Sequence, residues 1–229
     1  MSLLAVLIAA ALTFVALLPL VRPHFRQPTF WALVAVGVFS FPIAQWVNRT
    51  VWDPLAAQLG VPEAGLGLVL GLFVWALLTE GFKFAPVLIV GLMTGAAPRD
   101  WYAYGAAAAA GFSFFAAQQV IGFALEVSRL PLSTTGSTAL AILLRFFPIL
   151  GHIATTTFVA WATPRGGLIR ALLLATAVQT LLGLVEREQA AAGPLLGNVL
   201  FALITLFLFL YVWTLRDRPL AGPSRQLAG

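Results

Sequence analysis

The chain has 229 residues, of which 61% are hydrophobic and 9% are charged, and its formal net charge is +5. Soluble domains carry roughly 25% charged residues, so this composition excludes an ordinary water-soluble domain. Cysteine is absent, which excludes disulfides, thiolate zinc sites and cysteine nucleophiles. The basic residues lie at the ends of apolar blocks rather than on one clustered face. We therefore expect contact with the lipid bilayer and no binding of nucleic acid.

The apolar residues fall into blocks near the ~20 residues that a helix needs to cross a bilayer. The first block is followed by Arg22 and His24 rather than by a small-residue cleavage site, which predicts a retained span. The stretch 48–65 is too polar to span and predicts an external loop with an interfacial helix from Trp52 to Leu59. The sequence thus predicts an all-α, polytopic transmembrane bundle that forms one integral membrane domain over residues 1–229. The predicted spans are 3–21, 30–47, 66–93, 102–127, 139–163, 168–185 and 195–215.

Arginines in alternate loops predict the orientation of the bundle. Eight of them flank the odd-numbered turns and the C-terminal tail, and three flank the even-numbered turns. Positively charged loops stay in the cytoplasm, so the N-terminus is predicted outside and the C-terminus in the cytoplasm. We expect an integral protein of the bacterial inner (plasma) membrane. The eight are Arg22, Arg26, Arg99, Arg165, Arg170, Arg216, Arg218 and Arg225; the three are Arg49, Arg129 and Arg187.

Polar side chains inside the spans are the candidates for a functional site, because a charge at bilayer depth costs roughly 2.5–3.5 kcal/mol on insertion scales. Glu80 and Lys83 are three residues apart on the third span and are predicted to form an ion pair. Counted at about 1.5 Å of rise per residue, Glu80, Gln118, His152 and Gln179 fall at similar depths on their spans. The sequence therefore predicts that these four meet in one layer of the bundle.

Each candidate also has a purely structural interpretation. Glutamines in spans commonly hold helices together, and a single histidine such as His152 is commonly a packed residue. Arg145 is expected either to pair with Glu80 or to extend toward water, and the second is favoured. The threonines at 155–157 are able to hydrogen-bond to their own helix and need no further role. Glu80 is the strongest candidate, because an ionisable carboxylate within a span indicates a functional site by default.

Three segments resemble, in order and spacing, the PrsW-type intramembrane metalloproteases, which are relatives of the CAAX-protease and bacteriocin-processing group. They are TEGFK at 79–83, DWYAYGAAAAAGFSFFAAQQ at 100–119 and Gly151-His152. The family has an EExxK segment, an aspartate with a tyrosine-glycine helix ending in GF-x-F-x-x-x-E-N, a GH span, and a span with a second histidine near an Asp or Asn. The resemblance implies catalytic roles for Glu80 and His152, a zinc ion, and a cavity open to transmembrane substrates.

The chain departs from this family pattern where the chemistry would occur. Thr79 stands at the first glutamate, Gln118 and Gln119 at the glutamate and asparagine of the second motif, and Gln179 with Gly183 roughly at the last histidine and its partner. A catalytic zinc needs about three protein ligands, a water and a nearby carboxylate. Glutamine offers only a weak neutral oxygen ligand and no base.

The substitutions predict a vestigial catalytic site at Glu80 and His152, a pocket formed with Lys83 and the three glutamines, and no bound metal. The expected function is that of a pseudoenzyme which binds a partner membrane helix or a lipid, as a subunit, scaffold or regulator of a protein complex. The enzyme alternative is an active intramembrane metalloprotease with zinc, in which Glu80 activates a water held by His152 and Gln118. A second alternative is a proton-coupled transporter that uses Glu80 and Lys83. No nucleotide-binding motif is present, and no other cofactor is predicted.

Overall fold

The computed structural model describes residues 3–62, 64–127, 144–192 and 194–216. These residues are almost entirely helical, and no strand occurs among them. Short 3-10 turns follow the first and sixth helices. The helices are α1 (Leu3–Val21), α2 (Pro28–Val47), α3 (Asp53–Gln58), α4 (Gly65–Thr94), α5 (Pro98–Val127), α6 (Phe146–Ala162), α7 (Leu168–Ala192) and α8 (Pro194–Leu215).

Seven helical segments of the described chain are long and apolar enough to cross a membrane, which confirms the predicted fold class. The predicted spans 3–21, 30–47, 66–93, 102–127 and 195–215 each agree with a helix to within four residues at both ends. The predicted span 168–185 begins at the same residue as its helix but ends earlier. The fifth predicted span begins at residue 139, and its first five residues lie outside the described chain. The orientation of the termini stays a prediction.

The prediction of a loop at 48–65 is wrong for residues 48–58, which are helical. A wide π-helical turn, Asn48–Trp52, continues α2 directly into α3. Pro54 has no backbone N–H to donate to the preceding turn, which is one cause of such an irregular turn in a continuous helix. A helix is therefore present where one was predicted, and it directly continues the second span; its interfacial position stays a prediction. The predicted sixth span is likewise too short, because α7 continues through charged residues to Ala192.

The central helix α5 packs against α1, α2, α4 and α6. Its alanines from Ala106 to Ala110 are all fully buried. A Cβ atom added at Gly111 would lie 1.9 Å from the carbonyl oxygen of Val34, and one at Gly37 would lie 2.1 Å from that of Ala108. The backbones of α2 and α5 are thus in direct contact, which only small residues permit.

The sixth helix is buried on most of its faces because α4, α5, α7 and α8 surround it. Its buried residues include three consecutive threonines, Thr155, Thr156 and Thr157. Since α4 and α7 also contact each other, the middle parts of α4, α6 and α7 converge in the interior. The candidate site lies at this junction.

The orientation is testable with single cysteines, because the natural chain has none. Ala97, in the turn before α5, and Ala57, in α3, are exposed at opposite ends of the bundle. We expect Ala57→Cys to react with a membrane-impermeant maleimide in intact cells, and Ala97→Cys to react only after permeabilisation, because the arginine-rich end should face the cytoplasm. The reverse labelling pattern would contradict the predicted orientation.

Candidate functional site

Glu80 and Lys83 form a buried ion pair in the middle of α4. The two side chains lie one turn apart, both are 0% exposed, and Lys83 Nζ donates a hydrogen bond to Glu80 Oε1. The spacing places both groups on the face of α4 that meets α6. The predicted ion pair is therefore confirmed, but further residues complete it.

The carboxylate of Glu80 also accepts hydrogen bonds from two adjacent threonines of α6. Thr155 Oγ1 donates to Glu80 Oε1 at 2.9 Å, and Thr156 Oγ1 donates to Glu80 Oε2 at 3.1 Å. Both oxygens of the buried carboxylate thus have donors, which offsets the loss of water around the charge. The expectation that these threonines need no role beyond their own helix is wrong. Thr155 and Thr156 lie three and four residues after His152, so all three side chains share one helical face. This spacing can be recognised in the sequence.

His152 extends the network from α6 to α7. Its Nδ1 atom lies 3.2 Å from Lys83 Nζ and 3.2 Å from Gln179 Nε2, and Gln179 Nε2 also donates to Thr155 Oγ1 at 3.1 Å. The ammonium and amide groups are both donors, so this geometry assigns His152 Nδ1 as the acceptor and places the ring proton on Nε2. The buried polar cluster, as we define it, consists of six residues on α4, α6 and α7. These are Glu80, Lys83, His152, Thr155, Thr156 and Gln179.

The ring of Phe112, on α5, packs against the buried polar cluster. The Phe112 ring packs edge-on against the His152 ring, with centroids 5.3 Å apart, and Lys83 Nζ lies 5.3 Å from the Phe112 centroid. An aromatic face attracts a cation, so Phe112 stabilises the ammonium while excluding water from it. Phe112 belongs to the GF pair of the segment that resembles the protease family.

The glutamines of α5 do not join this cluster as predicted. Gln118 is buried, but no hydrogen bond among the described residues links it to the cluster, and Gln119 is exposed. The α5 residues that approach His152 instead include Ser113 and Ala117. Successive residues are rotated by about 100° around a helix, so Gln118 is turned by about 100° or more from the directions of both Phe112 and Ala117. The prediction used the depth of each residue along α5, and depth does not determine how the helix is rotated about its axis.

A small cavity of about 110 Å³ borders His152 at the end of the bundle opposite the arginine-rich end. Arg145 and Glu186 line it, with Arg145 Nη1 3.6 Å from Glu186 Oε1. Arg145 therefore pairs with neither Glu80 nor any other member of the cluster. It lies at the start of α6 and is partly exposed, in keeping with the favoured expectation that it extends toward water. His152 is the cluster residue that this cavity reaches.

The cluster does not fit a catalytic zinc ion. Among the described residues, no group of three or more His, Asp or Glu side chains is placed to hold a metal. The Lys83 ammonium contacts both Glu80 Oε1 and His152 Nδ1, so a cation beside these two atoms would replace or adjoin the lysine. A divalent cation at that position would meet a buried positive charge at hydrogen-bond distance, which is strongly repulsive in an interior of low dielectric constant.

Comparisons with known proteins returned no match to a protein-family model, to a curated protein or to a solved structure. The resemblance to PrsW-type proteases therefore depends on the sequence segments given above and stays a proposal.

The coupling within the cluster is measurable with a double-mutant cycle of Glu80→Gln and Lys83→Met. We expect each single substitution to lower the free energy of unfolding by about 3 kcal/mol, because each leaves one unpaired charge in the interior. The double variant should lose at least about 1 kcal/mol less than the sum of the two. Unfolding by SDS in mixed micelles measures these values. The matched control is Arg145→Met with Glu186→Gln, a partly exposed pair that should be additive within about 0.5 kcal/mol. Additive losses at Glu80 and Lys83 would contradict the coupling.

Proposed function

We propose that the chain is a catalytically degenerate, PrsW-like protein of the inner membrane that binds a hydrophobic molecule within the bilayer. The observation that carries the proposal is the position of the Lys83 ammonium, which lies between the carboxylate of Glu80 and the imidazole of His152. Lys83 corresponds to the lysine of the EExxK segment, but Thr79 and Gln179 stand where the family pattern has a glutamate and a histidine, so few metal ligands remain beside it. A lysine cannot polarise a peptide carbonyl as a Lewis acid does, nor generate a metal-bound hydroxide.

The position of Glu80 also argues against the peptidase alternative. A general base must lie within hydrogen-bond reach of the water that it activates. Both oxygens of Glu80 already accept hydrogen bonds from Lys83, Thr155 and Thr156, and its side chain is fully buried. The cavity at His152 is bordered by neither Glu80 nor Gln118. In this arrangement Glu80, the proposed base, does not border the cavity in which His152 would hold a water. No observation favours the proton-coupled transporter, which stays a prediction.

An apolar groove supports a binding function. It lies between α6, α7 and α8, has a volume of about 300 Å³, and is lined largely by hydrophobic side chains such as Phe158, Leu174, Val178 and Phe207. Thr155 lies at its inner wall and is also a member of the buried polar cluster. A molecule in this groove would therefore press directly on the helix face that carries the cluster.

The lining of the groove suits an acyl chain. Its residues are apolar apart from the hydroxyl groups of Thr155 and Tyr211. An extended acyl chain is narrower than a helix and offers no polar group to a lining that is mainly apolar. We therefore propose that the occupant of the groove is the acyl chain of a membrane lipid.

Native mass spectrometry of the detergent-purified protein tests this proposal. Leu174 and Leu173 are neighbouring, exposed leucines of α7, and Leu174 lines the groove whereas Leu173 does not. We expect the wild type to retain a lipid, and Leu174→Trp to lower the retained fraction about fivefold or more, since overfilling a packed space costs about 1 kcal/mol or more. The control Leu173→Trp should retain lipid as the wild type does.

The same spectra also report the competing functions. A stoichiometric zinc increment that disappears in His152→Ala would overturn the noncatalytic proposal. Equal lipid loss in the two tryptophan variants would overturn the groove as the binding site. A membrane protein that stays bound in place of lipid would show that a partner helix is the occupant.

A further inference from the structure

A second and larger cleft lies at the arginine-rich end of the bundle. It has a volume of about 560 Å³ and is bounded by the end of α1, the following 3-10 turn Arg22–Arg26, the start of α5 and the end of α8. Its polar lining includes His24, Arg99, Asp100 and Arg216. Helix ends of a membrane-spanning bundle lie at the level of the lipid headgroups. This position separates the cleft from both the groove and the buried polar cluster.

The lining of the cleft carries more positive than negative charge. Arg99 is 85% exposed, and Arg216 is held against the end of α1 by a hydrogen bond from Nη1 to the carbonyl oxygen of Pro19 at 2.9 Å. Asp100 is the carboxylate that lines the cleft within the described chain. It lies 3.4 Å from His24 Nε2 and 3.9 Å from Arg99 Nε. Among the described residues, two guanidinium groups and an imidazole thus line the cleft together with one carboxylate.

One atom of the lining lacks a hydrogen-bond partner. His24 Nδ1 is buried from solvent and has no partner among the described residues, whereas Nε2 of the same ring faces Asp100. Buried polar atoms in proteins are nearly always paired with protein, water or a ligand. Apolar groups of Leu20 and Pro23 line the cleft beside it. The cleft therefore combines cationic donors, an unpaired polar atom and a hydrophobic wall.

We propose that this cleft binds the phosphate-bearing headgroup of an anionic phospholipid. Arginine binds phosphate oxygens through paired, charge-assisted hydrogen bonds, and basic pockets between the cytoplasmic ends of membrane helices suit anionic headgroups. Arg99 reaches the phosphate from the start of α5, and Arg216 reaches it from the end of α8. A headgroup bound there would join α1, α5 and α8 at one end of the bundle. This cleft shares no lining residue with the acyl-chain groove.

Lipid titration of the purified full-length protein in detergent tests the site. We expect phosphatidylglycerol to bind more tightly than phosphatidylcholine, and inorganic phosphate to have no measurable effect at the same concentrations. Arg99→Gln should weaken phosphatidylglycerol binding about fivefold, the usual effect of one basic side chain at a membrane surface. Arg170→Gln is the matched control, because Arg170 is an exposed arginine in the first turn of α7 at the same end but does not line the cleft. It should change the affinity by less than about twofold.

The alternatives give distinguishable results. Equal weakening by Arg99→Gln and Arg170→Gln would mean that diffuse surface charge attracts the lipid and would overturn the site. Equal binding of phosphatidylcholine and phosphatidylglycerol would overturn the anionic specificity. Binding of inorganic phosphate with the same Arg99 dependence would show that free phosphate is the ligand and would overturn the lipid assignment. Arg99→Lys should recover most of the affinity of the wild type, and unchanged thermal unfolding of both glutamine variants would show that the fold is intact.

Discussion

The structure depends on placing one carboxylate in the middle of an apolar helical bundle. Glu80 has no access to water, so α4 supplies Lys83 and α6 supplies two threonine hydroxyls to surround it. Gln179 of α7 then bonds to Thr155 and His152. Lipid surrounds apolar side chains as readily as another helix does, so apolar burial discriminates poorly between helix pairings in a membrane. The buried polar cluster therefore determines how α4, α6 and α7 face one another.

The same contacts explain why the proposed function is binding rather than hydrolysis. A metalloprotease uses a cation between its carboxylate and imidazole ligands to activate water. Here the Lys83 ammonium lies at hydrogen-bond distance from both groups, and Thr155 and Thr156 also donate hydrogen bonds to the carboxylate. Of the three glutamines, Gln179 is the one that joins this network among the described residues, and its amide supplies hydrogen bonds without charge.

The last turns of α8 connect the two proposed lipid sites. Val212 lines the apolar groove, and its carbonyl oxygen accepts a hydrogen bond at 3.2 Å from the hydroxyl of Tyr102, which lines the headgroup cleft. Arg216 follows one turn later and is held to the end of α1. A lipid at either site would therefore restrain the same segment of α8.

The sequence was sufficient to predict what depends on hydrophobicity and spacing along one helix. Blocks of apolar residues predicted the spans, and the interval between Glu80 and Lys83 predicted their ion pair. The depths of Glu80, His152 and Gln179 along their spans also predicted correctly that these residues meet in the bundle. The prediction for Gln118 was wrong because depth along a span does not determine which way a side chain faces. The rotation of α5 about its axis is determined by packing, such as the close approach of Gly111 to Val34. The threonines were missed because a hydroxyl within a helix is satisfied by its own backbone in most cases.

The central claim is that the Lys83 ammonium occupies the space between Glu80 and His152. Crystals grown with added zinc, measured on both sides of the zinc absorption edge, test it most directly. The account predicts electron density for the lysine side chain between the two groups and no anomalous signal there. An anomalous peak bonded to Glu80 and His152, with Lys83 turned away, would contradict it.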